Sequence, residues 1–347
     1  MNKLFLKLSI LGFALTSSFS TYAANSTIPS ATPGFSFSVT GLYLQPNASN
    51  LEYAIFTQPL PLPAPNWSQV TLKPGYRPAF DLAVQYNFED PANQVNLDWF
   101  YIHTDDSDSF STSAANTSVA PPYYFGPLAQ ALTGTFADSD VKFDVSNVNL
   151  TFGRLINLGS SIQIEPFSGL EAAYIKEDIA STYAGTDSIH EPYSITQYST
   201  SKFTGVGPRL GFNATYFITN HLGITARLGG SLLAGTMNSN TNFNSYGNGN
   251  KTPIHTKLAD QDQNKVVSEV DSKLEINYMI PINQNESSVT IAIGYMFAAY
   301  INGINQIVPT SLVPGAFNQG AIAIETEGQN QSDLDLNGPY VTLTWKI

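Results

Sequence analysis

The sequence predicts an all-β fold: a transmembrane antiparallel up-and-down β-barrel of about ten strands (about eight to twelve fit the pattern), with long loops at one end and short turns at the other. Three observations predict it. Apolar and polar residues alternate in ten segments, which is the period of a strand. Short and long connections between those segments also alternate. Only 12% of the 347 residues are charged, about half the share of an ordinary soluble domain, yet 42% are hydrophobic.

Residues 1–23 read as a signal peptide. Lys3 and Lys7 form the charged start, Leu8 to Leu15 the apolar stretch, and Thr21-Tyr22-Ala23 a small-residue cleavage site after Ala23. The chain has no Cys, which excludes a lipoprotein anchor, disulfides, thiolate zinc sites and thiol catalysis. Residues 24–34 are read as a short periplasmic tail and 35–347 as the barrel. The stretch from Ser287 to Ile324 has no charged residue, but Gly303, Pro309 and Pro314 interrupt it, so it makes a poor transmembrane helix.

The ten segments follow in order. Segment 35–45 alternates Phe35, Phe37, Val39 and Tyr43 with Ser36, Ser38 and Thr40. Segment 76–88 sets Tyr76, Phe80, Leu82, Val84, Tyr86 and Phe88 against Arg77, Asp81, Gln85 and Asn87. Segment 95–104 sets Val95, Leu97, Trp99 and Tyr101 against Asn96 and Asp98. Segment 141–155 shifts phase near Asn147, which reads as a β-bulge. Segment 162–175 opposes Ile162, Ile164, Leu170, Ala172 and Tyr174 to Gln163, Glu165 and Glu171. Segments 204–218 and 224–235 put Arg209, Asn213, Arg227 and Ser231 opposite aliphatic stripes. Segment 265–280 sets Val266, Val270, Leu274, Ile276 and Tyr278 against Glu269, Asp271, Lys273 and Glu275. Segments 289–301 and 340–347 complete the series, the last alternating Val341, Leu343, Trp345 and Ile347 with Thr342, Thr344 and Lys346.

Connections near 89–94, 157–160, 219–221 and 281–287 are short. Those at 46–74, 106–138, 177–200, 236–263 and 302–335 are long and rich in Ser, Asn, Thr, Pro and Gly, so they read as loops. Both termini then lie on the short-turn, periplasmic side of an outer-membrane barrel. A soluble β-sandwich is the competing fold. Its strands usually run about 5–6 residues, shorter than these segments.

The polar faces carry Asp81, Asp98, Asp144, Glu165, Glu171, Glu269, Asp271 and Glu275, with Arg77, Arg154, Arg209, Arg227 and Lys273; Lys142 and Lys346 share them. The interior is therefore expected to be charge-dense and nearly neutral. Such residues can line a wet channel or pair and fill a narrow barrel, and periodicity leaves both open. Tyr43, Tyr76, Phe88, Tyr101, Phe152, Tyr174, Tyr216, Tyr278, Tyr295 and Trp345 fall near strand ends as candidate girdle residues.

No site motif is strong. Gly205, Gly207 and Gly211 resemble a nucleotide fingerprint only loosely, and they sit inside a strand. His103, Asp105, Asp106 and Asp108 cluster at one strand end. Omptin-type outer-membrane proteases place acids and an Asp–His pair there. Because these residues are contiguous, a solvated acidic rim is preferred over a weak calcium site or a hydrolytic site. No enzymatic activity, cofactor or metal is expected. The net charge of -12 argues against nucleic acid as a partner.

Three stretches resemble the Legionella major outer membrane protein family: Asn96-Leu97-Asp98-Trp99; Gly153-Arg154-Leu155-Ile156-Asn157-Leu158-Gly159 running into Pro166-Phe167-Ser168-Gly169-Leu170; and Gly205-Val206-Gly207-Pro208-Arg209-Leu210-Gly211. The resemblance implies an integral outer-membrane protein that forms a pore, is exposed at the cell surface and meets host surface molecules. It favours the open lumen. The family's disulfide cross-linking does not carry over to a chain without Cys, so any homo-oligomer is expected to be non-covalent. The last residue is Ile347 rather than Phe, yet the C-terminal apolar stripe still suits the barrel-assembly machinery. The expected function is a porin-like channel in outer-membrane lipid for passive diffusion of small hydrophilic solutes and ions. Mild cation selectivity is expected from acidic loops that concentrate counter-ions. The alternative is a non-conducting surface barrel acting as adhesin or structural protein.

Overall fold

Lipid cannot hydrogen-bond a peptide group, so a sheet that crosses it must close on itself. The computed structural model describes residues 27–29, 32–58, 66–90, 92–114, 117–122, 133–186, 192–246, 254–258, 261–282, 287–312 and 324–347. The expected signal peptide lies outside these residues, as does part of the tail. The strands are β1 (Gly34–Ala48), β2 (Glu52–Gln58), β3 (Asn66–Thr71), β4 (Arg77–Asn87), β5 (Asn93–Ser111), β6 (Ser118–Ala120), β7 (Thr133–Arg154), β8 (Ile156–Leu158), β9 (Ile162–Thr186), β10 (Pro192–Phe217), β11 (Leu222–Tyr246), β12 (Ile254–Lys257), β13 (Gln261–Ile282), β14 (Ser287–Leu312) and β15 (Ile324–Lys346).

Ten of them form the wall, in the order β1-β4-β5-β7-β9-β10-β11-β13-β14-β15, each antiparallel to its neighbours. The ring closes where β15 returns to β1, with Phe37 opposite Trp345. Each of the ten alternating segments coincides with one wall strand. β8 and β12 are short additions to β9 and β11, and β2, β3 and β6 form a small separate sheet, with Tyr53 and Ala54 of β2 buried in the apolar cluster of the barrel. The short turns are built by local polar side chains. Asp90 accepts from Asn93 Nδ2 at 2.9 Å, and Thr219 Oγ1 accepts from the Leu222 amide at 3.0 Å.

Two expectations need correction. The long loops at 177–200, 236–263 and 302–335 are largely strand. β9 and β10 reach Thr186 and Pro192, so their hairpin extends well past the girdle. Ser/Thr-rich composition suggested loops, but outside the lipid a strand's outer face contacts water and is properly polar. The second correction concerns Asn147. β7 pairs with β5 without a register shift from Arg154 to Phe136, so there is no bulge there. What changes is the medium. Below Tyr101 and Tyr174 the apolar residues point outward to lipid; above them the polar residues point outward and the apolar ones inward. On β7, Val148, Leu150 and Phe152 are exposed, whereas Val141, Phe143 and Val145 are fully buried. The core therefore fills the extracellular half of the barrel, and the polar interior lies beneath it.

The glycine run in β10 is a packing device. A Cβ on Gly207 would lie 1.8 Å from the Leu232 carbonyl oxygen, so only glycine admits this strand approach. Gly207→Ala is expected to destabilise the barrel by about 1–3 kcal/mol. The check is the midpoint of heat-modified electrophoretic mobility, and an unchanged midpoint would show that the wall gives way easily.

Candidate functional site: the barrel interior

Strand parity fixes which polar side chains enter the lumen. Arg77, Asp81, Asp98, Glu165, Glu171, Arg209, Arg227, Glu269, Asp271, Lys273 and Glu275 face inward. Asp144 and Arg154 do not. They share the outer face of β7 with Leu150 and Phe152, because the assumed bulge that would have turned one of them inward is absent. Lys142 is outside as well, where it pairs with Asp105 at 2.9 Å. Losing two bases and one acid makes the interior more acidic than the sequence suggested.

From the periplasmic end, the lumen opens as a polar vestibule of about 600 Å³ lined by Gln85, Asn87, Gln94, Glu165, Asn277 and Lys346. Gln85 and Glu165 also line a second chamber of about 280 Å³, which reaches Asp81, Asp98, Arg227, Lys273 and Glu275. Lys273 pairs with Asp81 at 3.3 Å, Asn149 donates to Asp98 at 2.8 Å, and Tyr340 donates to Glu275 at 2.8 Å. Above this lies the most buried ionic group of the barrel. The Arg209 guanidinium donates to Glu171 at 2.7 Å, to Glu269 at 2.8 Å and to Asp271, and also to Ser231 at 3.1 Å. Arg209 is 3% exposed and Glu171 fully buried. One guanidinium thus holds carboxylates from two wall strands on either side of its own, β9 and β13. Its planar fork of donors suits it to several carboxylates at once.

The apolar layer begins directly above. Ile102, Phe143, Ile175, Phe203, Leu233 and Leu336 are buried and form one cluster with Tyr300, Ile304 and Leu334 of the β14–β15 hairpin. That hairpin leaves the wall. Asn302 takes φ 57°, a conformation Asn tolerates, and the register with β15 shifts between Tyr300 and Ile304. The strand then folds inward over β13 onto the inner faces of β10 and β11: Asn305 bonds Ser201 and Ser239, each at 2.9 Å, and Thr241 donates to the Ile307 carbonyl at 2.7 Å. Higher still, Asn50 Nδ2 reaches both oxygens of Glu177 at 3.0 and 2.8 Å, and Tyr183 donates to the Tyr53 carbonyl at 2.6 Å. Among the described residues the lumen is not continuous from end to end. The open pore favoured at the sequence level is not the conformation seen, because inward-facing aliphatic and aromatic side chains fill the outer half.

The His103 cluster is dispersed by strand alternation. His103 faces out to Asp144 at 2.6 Å, Asp106 faces in to Arg77 at 2.6 Å, and Asp108 accepts from Tyr53 at 3.2 Å. The girdle candidates all lie on the outer face in two rings. Tyr43, Tyr76, Tyr101, Tyr174 and Tyr295 form the upper ring and Phe88, Phe152, Tyr216, Tyr278 and Trp345 the lower; Tyr43 stacks on Tyr76 at 5.4 Å.

Sequence reasoning missed the crossing hairpin, Glu177 and Asn50. One signal was available: a stretch as long as Ser287 to Ile324 without any charge is unusual for a surface loop and consistent with burial.

A closed ring of strands, an apolar outer band between aromatic rings and a polar lower lumen define an integral outer-membrane β-barrel. The chain belongs to the family described as the Legionella pneumophila major outer membrane protein precursor, which matches residues 27–347. Solved structures with a similar fold include the outer membrane protease OmpT from Escherichia coli, at 9% identity and TM-score 0.46, covering 93% of this chain and 100% of that one. The toluene transporter TodX of P. putida aligns at 9% identity and TM-score 0.34, covering 94% and 95% respectively. A FadL homologue of Pseudomonas aeruginosa aligns at 7% identity and TM-score 0.29, covering 90% of each chain. No curated protein sequence matches this chain.

Two predictions follow from the charges. Arg209→Met leaves Glu171 and Glu269 without a counter-charge, while Asp271 keeps Arg227 at 3.8 Å, and the expected cost is about 3–5 kcal/mol. Adding Glu171→Gln and Glu269→Gln should restore most of the heat-modification midpoint; a midpoint that stays low would mean Arg209 acts by packing alone. Glu177 lies three residues above the upper girdle. Burial, with a smaller contribution from Asp178, pushes its carboxyl up to about 8, against the opposing hydrogen bond from Asn50. The folded state therefore retains a proton that the unfolded chain releases above its ordinary value near 4.5. Stability is expected to fall by about 1.4 kcal/mol per pH unit between those values and level off above them. Thermal midpoints of wild type and Glu177→Gln compared at pH 5.5 and 8.5 check this, since the variant should lose that share of the pH dependence.

Proposed function

We propose that this protein is an outer-membrane channel held closed in its resting conformation, with no enzymatic activity. It passes small hydrophilic solutes and ions when the crossing part of β14 withdraws. The observation that carries this reading is the form of the obstruction. The block is completed by a hairpin that has left the wall, and the wall against which it rests is polar, with Ser201, Ser239 and Thr241 hydrogen-bonded to it. Wall positions sealed permanently by an apolar core have no need of hydroxyls there. Beneath the block, two polar chambers lie in succession toward the periplasmic mouth, with Gln85 and Glu165 lining both.

Withdrawal exposes several buried aliphatic and aromatic side chains, each costing about 1.5–3 kcal/mol. Openings are therefore rare and brief. The lumen presents Asp81, Asp98, Glu165, Glu171, Glu269, Asp271 and Glu275 against Arg77, Arg209, Arg227, Lys273 and Lys346. That excess of acids supports a mild preference for cations, adding to the acidic loops.

The alternative, a non-conducting surface barrel acting as adhesin or structural protein, is favoured by the depth of the apolar layer. Single-channel recording in a planar bilayer under a KCl gradient separates the two. Wild type should give sparse steps with a cation-favouring reversal potential, and Ile304→Ser with Ile307→Ser should raise the open probability at least tenfold. A folded, heat-modifiable barrel that gives no steps in either form would move the function to the extracellular surface.

A further inference from the structure

We propose that the outer wall at the junction of β9 and β10 binds the phosphate of a lipid headgroup in the outer leaflet, the phosphorylated glycolipid that covers this face of the membrane. Lys176 of β9 and Lys202 of β10 are directly opposite in the antiparallel register. Both point outward, one step above Tyr174 of the upper girdle. Like charges placed directly opposite across two strands destabilise a sheet. Asp178 and Asp144, the latter directly opposite Lys176 on β7 and bonded to His103, together neutralise Lys176, so the uncompensated charge of the pair is that of Lys202. Lys176 is bonded to Asp178, a carboxylate that also accepts from Thr200 at 2.8 Å. Lys202 has no ion pair among the described residues. Its ammonium lies 5.4 Å from the centroid of the Tyr174 ring, which holds it at the level of the girdle.

Height and charge together select the occupant. Between the two aromatic rings the outer face is apolar, so these are the first cations met on leaving the lipid. A lysine stem lies along apolar surface and lifts its ammonium to the headgroup level. A phosphate there offers several acceptor oxygens and at least one full negative charge, enough to bridge the two ammoniums and neutralise Lys202. The site is confined to one sector. Across the next wall junction Lys202 faces Asn238, an amide already committed to Asp262 at 2.7 Å. A freely diffusing phosphate would face competition from water and salt, whereas a headgroup is delivered to this height by its acyl chains.

The test uses the full refolded barrel in detergent, with bisphosphorylated lipid A, its dephosphorylated form, phosphatidylethanolamine and inorganic phosphate as separate probes. Native mass spectrometry and thermal midpoints report binding. Bisphosphorylated lipid A is expected to remain bound and raise the midpoint, and the dephosphorylated form to bind at least tenfold more weakly. Lys176→Gln with Lys202→Gln should lose that discrimination, Lys202→Arg should keep it, and Lys73→Gln, remote in sequence in the segment between β3 and β4, should not alter it. Each variant is first shown to fold by heat-modifiable mobility, with the single substitutions standing in if the double variant fails. Equal binding of both lipid A forms to wild type, or unchanged discrimination in the double and single glutamine variants, would overturn the proposal. So would inorganic phosphate alone reproducing the full stabilisation at millimolar concentration, since that would indicate a free-anion site.

Discussion

The ring closure between β1 and β15 is the constraint on which the rest of this structure depends. In hydrocarbon, an unpaired peptide group costs several kcal/mol, so an edge strand cannot persist. The pairing of Phe37 with Trp345 and of Gly41 with Val341 joins the two ends of the barrel sequence and removes both edges. Once the ring is closed, each residue has only two directions available, in or out. The alternating period then becomes a statement about two media.

Those media change with height. At membrane level the outside is lipid and the inside is wet, so apolar side chains face out. Above the upper girdle the outside is water, and the only place to bury apolar surface is within the barrel. β7 passes through this change without altering its register. Its outer face runs from Phe152 and Leu150 to Lys142, while its inner face runs from Asn149 to Phe143 and Val141. The apparent phase shift in the sequence is a change of solvent along a regular strand. The same inversion explains why β5 passes from Trp99 and Tyr101 to His103 and Asp105 on one face.

Between the wet and dry halves stands the Arg209 group. A guanidinium with three carboxylates is stable at this depth only because the hydrogen bonds are numerous and come from both sides. It ties β9, β10 and β13 together just below the point where β14 crosses. The apolar layer of Phe203, Leu233, Met237 and Ile304 separates the polar seat of that crossing strand from the charged layer beneath it. Burial of Glu177 above the girdle adds a proton-dependent contact between the first extracellular segment and β9.

The sequence by itself determined that the chain is a barrel of about ten strands, the membrane-level part of each strand and the membrane-facing stripes. Each of these is set by a local period of two and by the sign of transfer into lipid, and neither needs knowledge of distant partners. Alternation also placed Arg209, Glu171, Glu269 and Asp271 on inward faces. That they meet at one point was decided by the stagger between β9, β10, β11 and β13, a property of pairing across strands far apart in sequence. The tertiary structure alone decided the outward placing of Asp144 and Arg154, the departure of β14 from the wall at Asn302 and the filling of the outer half of the lumen. These depend on which medium each face meets and on what the closed ring leaves room for. Only the assembled barrel has an inside.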